Sequence, residues 1–117
     1  GKLILAHGMA DGIFAPQDTV DYFEAVKREH GAQADSFMRL YLVPGMGHCG
    51  GGPATDSFDA LGAAVRWVEQ GEAPDALLAK ANPGSPFKGR SRPLCPYPKQ
   101  ATYKGGDIEQ ATSFACE

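Results

Sequence analysis

At 117 residues the chain suits one modest domain, long enough to bury roughly two thirds of the surface its unfolded form exposes. Eleven Lys and Arg against fourteen Asp and Glu leave a formal charge of −3, with the basic residues scattered rather than striped, which excludes a polyanion-binding face and argues against a nucleic-acid partner. No apolar run approaches the length of a membrane span, so no membrane partner is expected; the chain opens without Met, directly on the strand-like KLILAHG, and reads as part of something longer.

KLILA (2–6) is a short unbroken apolar run, which predicts a strand buried on both faces. The loop HGMADGIFAP follows. Over Pro16 to His30, Val20, Phe23 and Val26 recur at helical spacing, with acids in the first turn, bases in the last and Gly31 as a stop, predicting an amphipathic helix. FMRLYLV (37–43) is β-rich and halts at Pro44, giving a second strand. A glycine-rich loop, PGMGHCGGGP, comes next. Asp56 or Ser57 then caps a second predicted helix whose Phe58, Leu61, Val65 and Val68 form an apolar stripe ending at Gly71. Strand, helix, strand, helix predicts a βαβα unit on a parallel sheet. Beyond Ala81, Pro and Gly crowd NPGSPFKGRSRPLCPYPKQ, which predicts an irregular tail over 82–117, ordered by something other than a ladder of hydrogen bonds.

Open α/β sheets place their sites at the carboxyl ends of the strands, where both loops begin. Asp11 stands in the first loop and His48 in the second, 37 positions later, the order of acid and histidine in α/β-hydrolases. A carboxylate accepting from one imidazole nitrogen fixes the tautomer and frees the other nitrogen to take a nucleophile's proton. Against this stands the turn-forming role that an Asp in a Gly-containing loop commonly plays. His7 is expected to close the first strand and shape its loop, and His30 to be a solvated helix-end residue favoured by the dipole; neither is assigned to catalysis. GMGHCGGG lacks the Lys-Ser/Thr and the GxGxxG order of a phosphate cradle. No GxSxG elbow occurs around Ser36, Ser57, Ser85, Ser91 or Ser113, so the nucleophile is expected outside this chain.

Three cysteines are an odd number. Cys95 and Cys116 bracket the tail, and a bridge between them would contribute on the order of 3 kcal/mol, leaving Cys49 over. A zinc site of His48, Cys49, Cys95 and Cys116 is conceivable, but no C-x-x-C or H-x-x-x-H spacing supports it.

HGMADGIFAP, YLVPGMGHCGGGP, the helix ending in WVEQGEAP, and RPLCPYPKQATYKGGDIEQATSFAC together resemble the C-terminal end of the tannase and feruloyl esterase family, over essentially the whole chain. That resemblance implies Asp11 as triad acid and His48 as base. It also implies that Cys49 bridges to a cysteine directly preceding a distant nucleophilic serine, and that a lid domain, often holding calcium, lies outside this chain. A disulfide beside nucleophile and base would restrict their relative motion.

The expectation is thus an α/β chain, the C-terminal βαβα portion of an α/β-hydrolase sheet (1–81) followed by an irregular disulfide-stapled tail (82–117). It would belong to a secreted or periplasmic serine ester hydrolase that cleaves small aromatic acid esters through an acyl-enzyme. No cofactor is expected in the chain itself. Alone, it is expected to lack turnover and to associate with itself or with the rest of its enzyme through an unpaired sheet edge and uncovered apolar surface. The competing reading is a free-standing, non-enzymatic α/β module for oligomerisation or binding.

Overall fold

The computed structural model describes residues 1–117. Strands β1 (Leu3–Gly8) and β2 (Met38–Val43) pair in parallel, Leu3 opposite Met38 through Gly8 opposite Val43. Helix α1 (Pro16–His30) connects them with the predicted bounds, followed by a 3-10 segment (Gly31–Ser36) that the sequence reading does not anticipate. Pro16 occupies the first turn, where its missing N–H costs nothing, and Lys27, Arg28 and His30 sit at the negative end of the helix dipole. Val20 and Phe23 are the buried side of the helix.

Alternate side chains of a strand face opposite sides, and β2 uses both. Met38 and Leu40 pack with Val20 and Phe23 of α1, while Tyr41 and Val43 join a larger cluster with Met46, Ala54, Ala63, Leu77, Ala79 and Leu94. Tyr41 is fully buried and satisfies its hydroxyl by donating to the Pro74 carbonyl at 2.6 Å; burial pushes its phenol up to about 12. The double burial expected of β1 belongs to β2 instead: Leu3 is 39% exposed, and β1 has β2 as its only strand neighbour.

Helix α2 (Ala60–Gln70) starts later than predicted. Asp59, not Asp56 or Ser57, is its cap, accepting from the Gly62 N–H at 2.7 Å. Ser57 is held extended, exchanging backbone hydrogen bonds with Lys80 at 3.0 and 2.9 Å. Of the predicted stripe only Phe58, ahead of the helix, packs on the core: Leu61, Val65 and Val68 are 77, 43 and 62% exposed, whereas Ala63 and Trp67 are buried. Trp67 lies beneath two cations, Lys2 Nζ at 5.1 Å and the Arg39 guanidinium at 4.9 Å from its ring centroid.

The tail is not irregular. Strand β3 (Leu77–Lys80) pairs antiparallel with β4 (Ser91–Leu94), and β5 (Ala101–Tyr103) with β6 (Phe114–Cys116), so hydrogen-bonded ladders do order it. Strands of three and four residues, one of them carrying Pro93, are too short for a readable alternation, which is why they escape a sequence reading. The β3–β4 pair straddles the boundary expected at 81/82. Its neighbour segment docks on the edge of β2 away from β1: the Tyr97 N–H donates to the Leu40 carbonyl at 2.8 Å, and the Tyr97 ring meets Phe23 edge-on at 5.8 Å.

Candidate active site

Main-chain hydrogen bonds lay the loops after β1 and β2 side by side. The Met9 N–H donates to the Val43 carbonyl at 3.0 Å and the Ala10 N–H to the Met46 carbonyl at 2.9 Å. Gly8 is required at the crossing, because a Cβ there would run into the carbonyl oxygens of Met46 and Gly47.

Within this frame Asp11 Oδ2 lies 3.0 Å from His48 Nδ1. Asp11 Oδ1 accepts the backbone N–H groups of Ile13 and Phe14 at 2.8 and 3.0 Å, a local Asx arrangement that aims the carboxylate across at the second loop. The turn-forming and histidine-facing roles weighed against each other in the sequence are thus filled by one side chain. Those two N–H donors are the main reason the Asp11 carboxyl is held well below the usual carboxylate range; His48 adds to the effect and partial burial opposes it. An ionised carboxylate only accepts, so His48 Nδ1 carries the proton of that contact, and in the neutral ring Nε2 keeps its lone pair. Nδ1 makes the one side-chain hydrogen bond His48 has in the chain. The Asp11 side chain is 5% exposed and that of His48 39%, an arrangement of buried acid behind accessible imidazole. Phe14 flanks the His48 ring at 5.5 Å.

The His48 loop is braced from the far side. Asp56 Oδ2 accepts the Gly51 N–H at 2.7 Å, and Asn82 Nδ2 lies 2.7 Å from both Asp56 oxygens. The Gly51 N–H is the largest cause of a lowered Asp56 pKa. Cys49, beside His48, adopts a left-handed φ of 60°, a conformation rare outside glycine. Sequence reasoning missed Asp56, taken there for a helix cap; an acid five residues after a glycine-run N–H is the available signal, whereas nothing marks Asn82, 26 residues further on. His7 does shape its loop, with Nδ1 at 2.7 Å from Thr19 Oγ1 and Nε2 at 3.2 Å from the Phe14 carbonyl, but it also lies 3.3 Å from Asp11 Oδ2. His30 is exposed at the helix end, edge-on to Phe37.

Cys95 and Cys116 are disulfide-bonded with Cα atoms 5.4 Å apart, which removes both from the four-ligand zinc arrangement; Cys49 is an exposed thiol. Around His48 a hollow of about 380 Å³ is walled by His7, Asp11, Phe14, Thr19, Met46 and Cys49 among others. The serines sit elsewhere: Ser85, Ser91 and Ser113 are buried in the tail, Ser57 is in the bridge to Lys80, and Ser36 ends the 3-10 segment.

A carboxylate and an imidazole thus meet at the tips of adjacent parallel strands, within a mixed α/β fold. Comparison with known proteins gives the family: the model of the tannase and feruloyl esterase family matches residues 1–117, and the chain belongs to it. It is 52% identical over 119 residues to a mono(2-hydroxyethyl) terephthalate hydrolase from Piscinibacter sakaiensis, covering 99% of this chain and 20% of that protein. It is 42% identical over 120 residues to a probable feruloyl esterase from Arthroderma benhamiae, covering 98% of this chain and 22% of the relative. The crystal structure of feruloyl esterase B from Aspergillus oryzae superposes with a TM-score of 0.82 at 30% identity, over all of this chain and 27% of that one. The chain thus spans about a fifth of the length of these curated relatives. No helix is long and apolar enough to cross a membrane.

Proposed function

We propose that this chain is the part of a serine carboxylic ester hydrolase that supplies the acid, Asp11, and the histidine, His48, of its catalytic triad. The observation that carries the reading is the 3.0 Å contact from Asp11 Oδ2 to His48 Nδ1, which leaves Nε2 as the proton acceptor. Residues 1–81 form the C-terminal part of the α/β-hydrolase domain and 82–117 pack on it. The nucleophilic serine lies outside the 117 residues, and Cys49, next to the base, is tethered by a disulfide to a cysteine beside that serine. Hydrolysis proceeds through an acyl-enzyme. His48 takes the serine proton as the Oγ–C bond forms and returns it to the departing alcohol; it then takes a proton from the water that attacks the acyl carbon and returns it to the serine Oγ as the Oγ–C bond breaks and the acid leaves. Asp11 stays ionised throughout and stabilises the imidazolium.

The substrate is a small aromatic acid ester, a hydroxycinnamate, gallate or terephthalate monoester; the names of the relatives support this class. A structural disulfide between Cys95 and Cys116 supports an oxidising compartment and hence secretion or a periplasmic location. The exposed Leu61, Val65 and Val68 and the open edge of β1 support contact with the rest of the enzyme. The test is hydrolysis of methyl ferulate, methyl gallate and mono(2-hydroxyethyl) terephthalate by the full-length enzyme. At least one should turn over, and His48→Ala should lower kcat by about 10⁴-fold or more with the fold intact by circular dichroism. Turnover that survives the substitution would refute the assignment.

A further inference from the structure

We propose that His7 is a positioning residue for the Asp11–His48 pair, holding the turn that holds the acid; the inference rests on the acid–base reading above. His7 lies inside β1, four residues before Asp11, and its side chain is only 13% exposed. Its Nε2 faces two groups that only accept, the Phe14 carbonyl at 3.2 Å and Asp11 Oδ2 at 3.3 Å. Nε2 must therefore carry the proton. Nδ1 of the neutral ring is then an acceptor, and the Thr19 hydroxyl of α1 donates to it at 2.7 Å. The acceptors at Nε2 thus set the tautomer, and the Thr19 hydroxyl, able to donate, complements it and fixes the ring's orientation.

The consequence falls on Asp11. Its Oδ1 is fixed by the N–H groups of Ile13 and Phe14, and the Phe14 carbonyl is fixed in turn by His7. Its Oδ2 lies 3.0 Å from His48 Nδ1 and 3.3 Å from His7 Nε2, whose hydrogen bond goes to the Phe14 carbonyl. A carboxylate with donors at both oxygens cannot rotate away from His48, and the charge that builds on His48 during turnover meets a fixed partner. Because His7 acts through Asp11, its loss should lower kcat and leave KM nearly unchanged.

Four variants of the full-length enzyme separate this role from simple packing. A glutamine amide nitrogen reaches the place of Nε2, and an asparagine amide reaches only the place of Nδ1. His7→Gln should therefore keep most of kcat, while His7→Asn and His7→Ala should lose on the order of 10- to 100-fold, with KM within about twofold. Thr19→Val, which removes the hydroxyl that holds Nδ1 at equal volume, should fall between. Wild-type kcat in His7→Asn and His7→Ala, in an enzyme that His48→Ala inactivates, would overturn the role of His7 alone. The same holds if Asn rescues and Gln does not, since that pattern marks the Thr19 contact as the whole function of the ring. Activity that survives His48→Ala would overturn the acid–base reading itself and this inference with it.

Discussion

The two halves of the molecule are held together differently. The parallel half, β1–α1–β2, positions its chemistry with main-chain hydrogen bonds between loops and a strand packed on both faces. The tail carries pairs of three- and four-residue strands, one disulfide and an Arg90–Glu109 clamp whose two bonds measure 2.6 and 2.8 Å. In the first half the core does the holding, so side chains are free to serve the site. In the second, β3 and β4 reach the core through Leu77, Ala79 and Leu94, while the rest depends on covalent and polar staples, so changes to those staples should cost stability and spare the chemistry.

Removal of the staple is the strongest way to break that contrast. In the full-length enzyme, replacing Cys95 and Cys116 together by Ala should lower the unfolding free energy by about 3 kcal/mol, read from denaturant midpoints, with kcat at low denaturant within about twofold of wild type. A loss of kcat as large as that of His48→Ala would show that the tail takes part in catalysis. The bridge between the halves is the next test. Asp56 bonds Gly51 of the histidine loop and Asn82 after β3, so Asp56→Ala should cost about 1–3 kcal/mol and, unlike loss of the disulfide, should also reduce kcat. Steady-state kinetics beside thermal melts check both.

The smallest effect belongs to Arg90 and Glu109, a partly exposed pair. The Arg90 hydrogen bonds are the leading cause of a lowered Glu109 pKa. A depressed carboxyl stabilises the fold above its unfolded pKa, and that contribution fades as pH falls through the lowered folded value. Arg90→Lys should therefore be slightly less stable than wild type at neutral pH, and the two melting curves should converge as the pH drops below the carboxylate range.

How much of this was legible follows from how local each signal is. Helix α1 announces itself through Pro16, the spacing of Val20, Phe23 and Val26, and Gly31, all within one segment. Asp11 and His48 were readable because each follows a strand, so that topology alone makes them neighbours. Helix α2 was readable as a helix but not in its orientation. It is apolar on two sides, and periodicity cannot say whether Leu61, Val65 and Val68 or Ala63 and Trp67 should face this core. The tail strands were illegible because their order comes from partners far along the chain, such as Ser91 Oγ accepting the Ala111 N–H at 2.8 Å. Asp56 was misjudged because it reaches beyond its own segment, to Gly51 and Asn82.

Because Met9 and Ala10 stitch the two loops through their amides, what their side chains are is left open by the crossing. Met9, Ile13 and Phe14 are 55, 67 and 61% exposed around a carboxylate that is held by backbone groups. For an engineer this is a chassis with interchangeable fittings. A library that varies Met9 and Ile13 while keeping Gly8 and Asp11 would sample new surroundings for the histidine without disturbing the frame that aims it, and selectivity could be evolved there without trading away the fold.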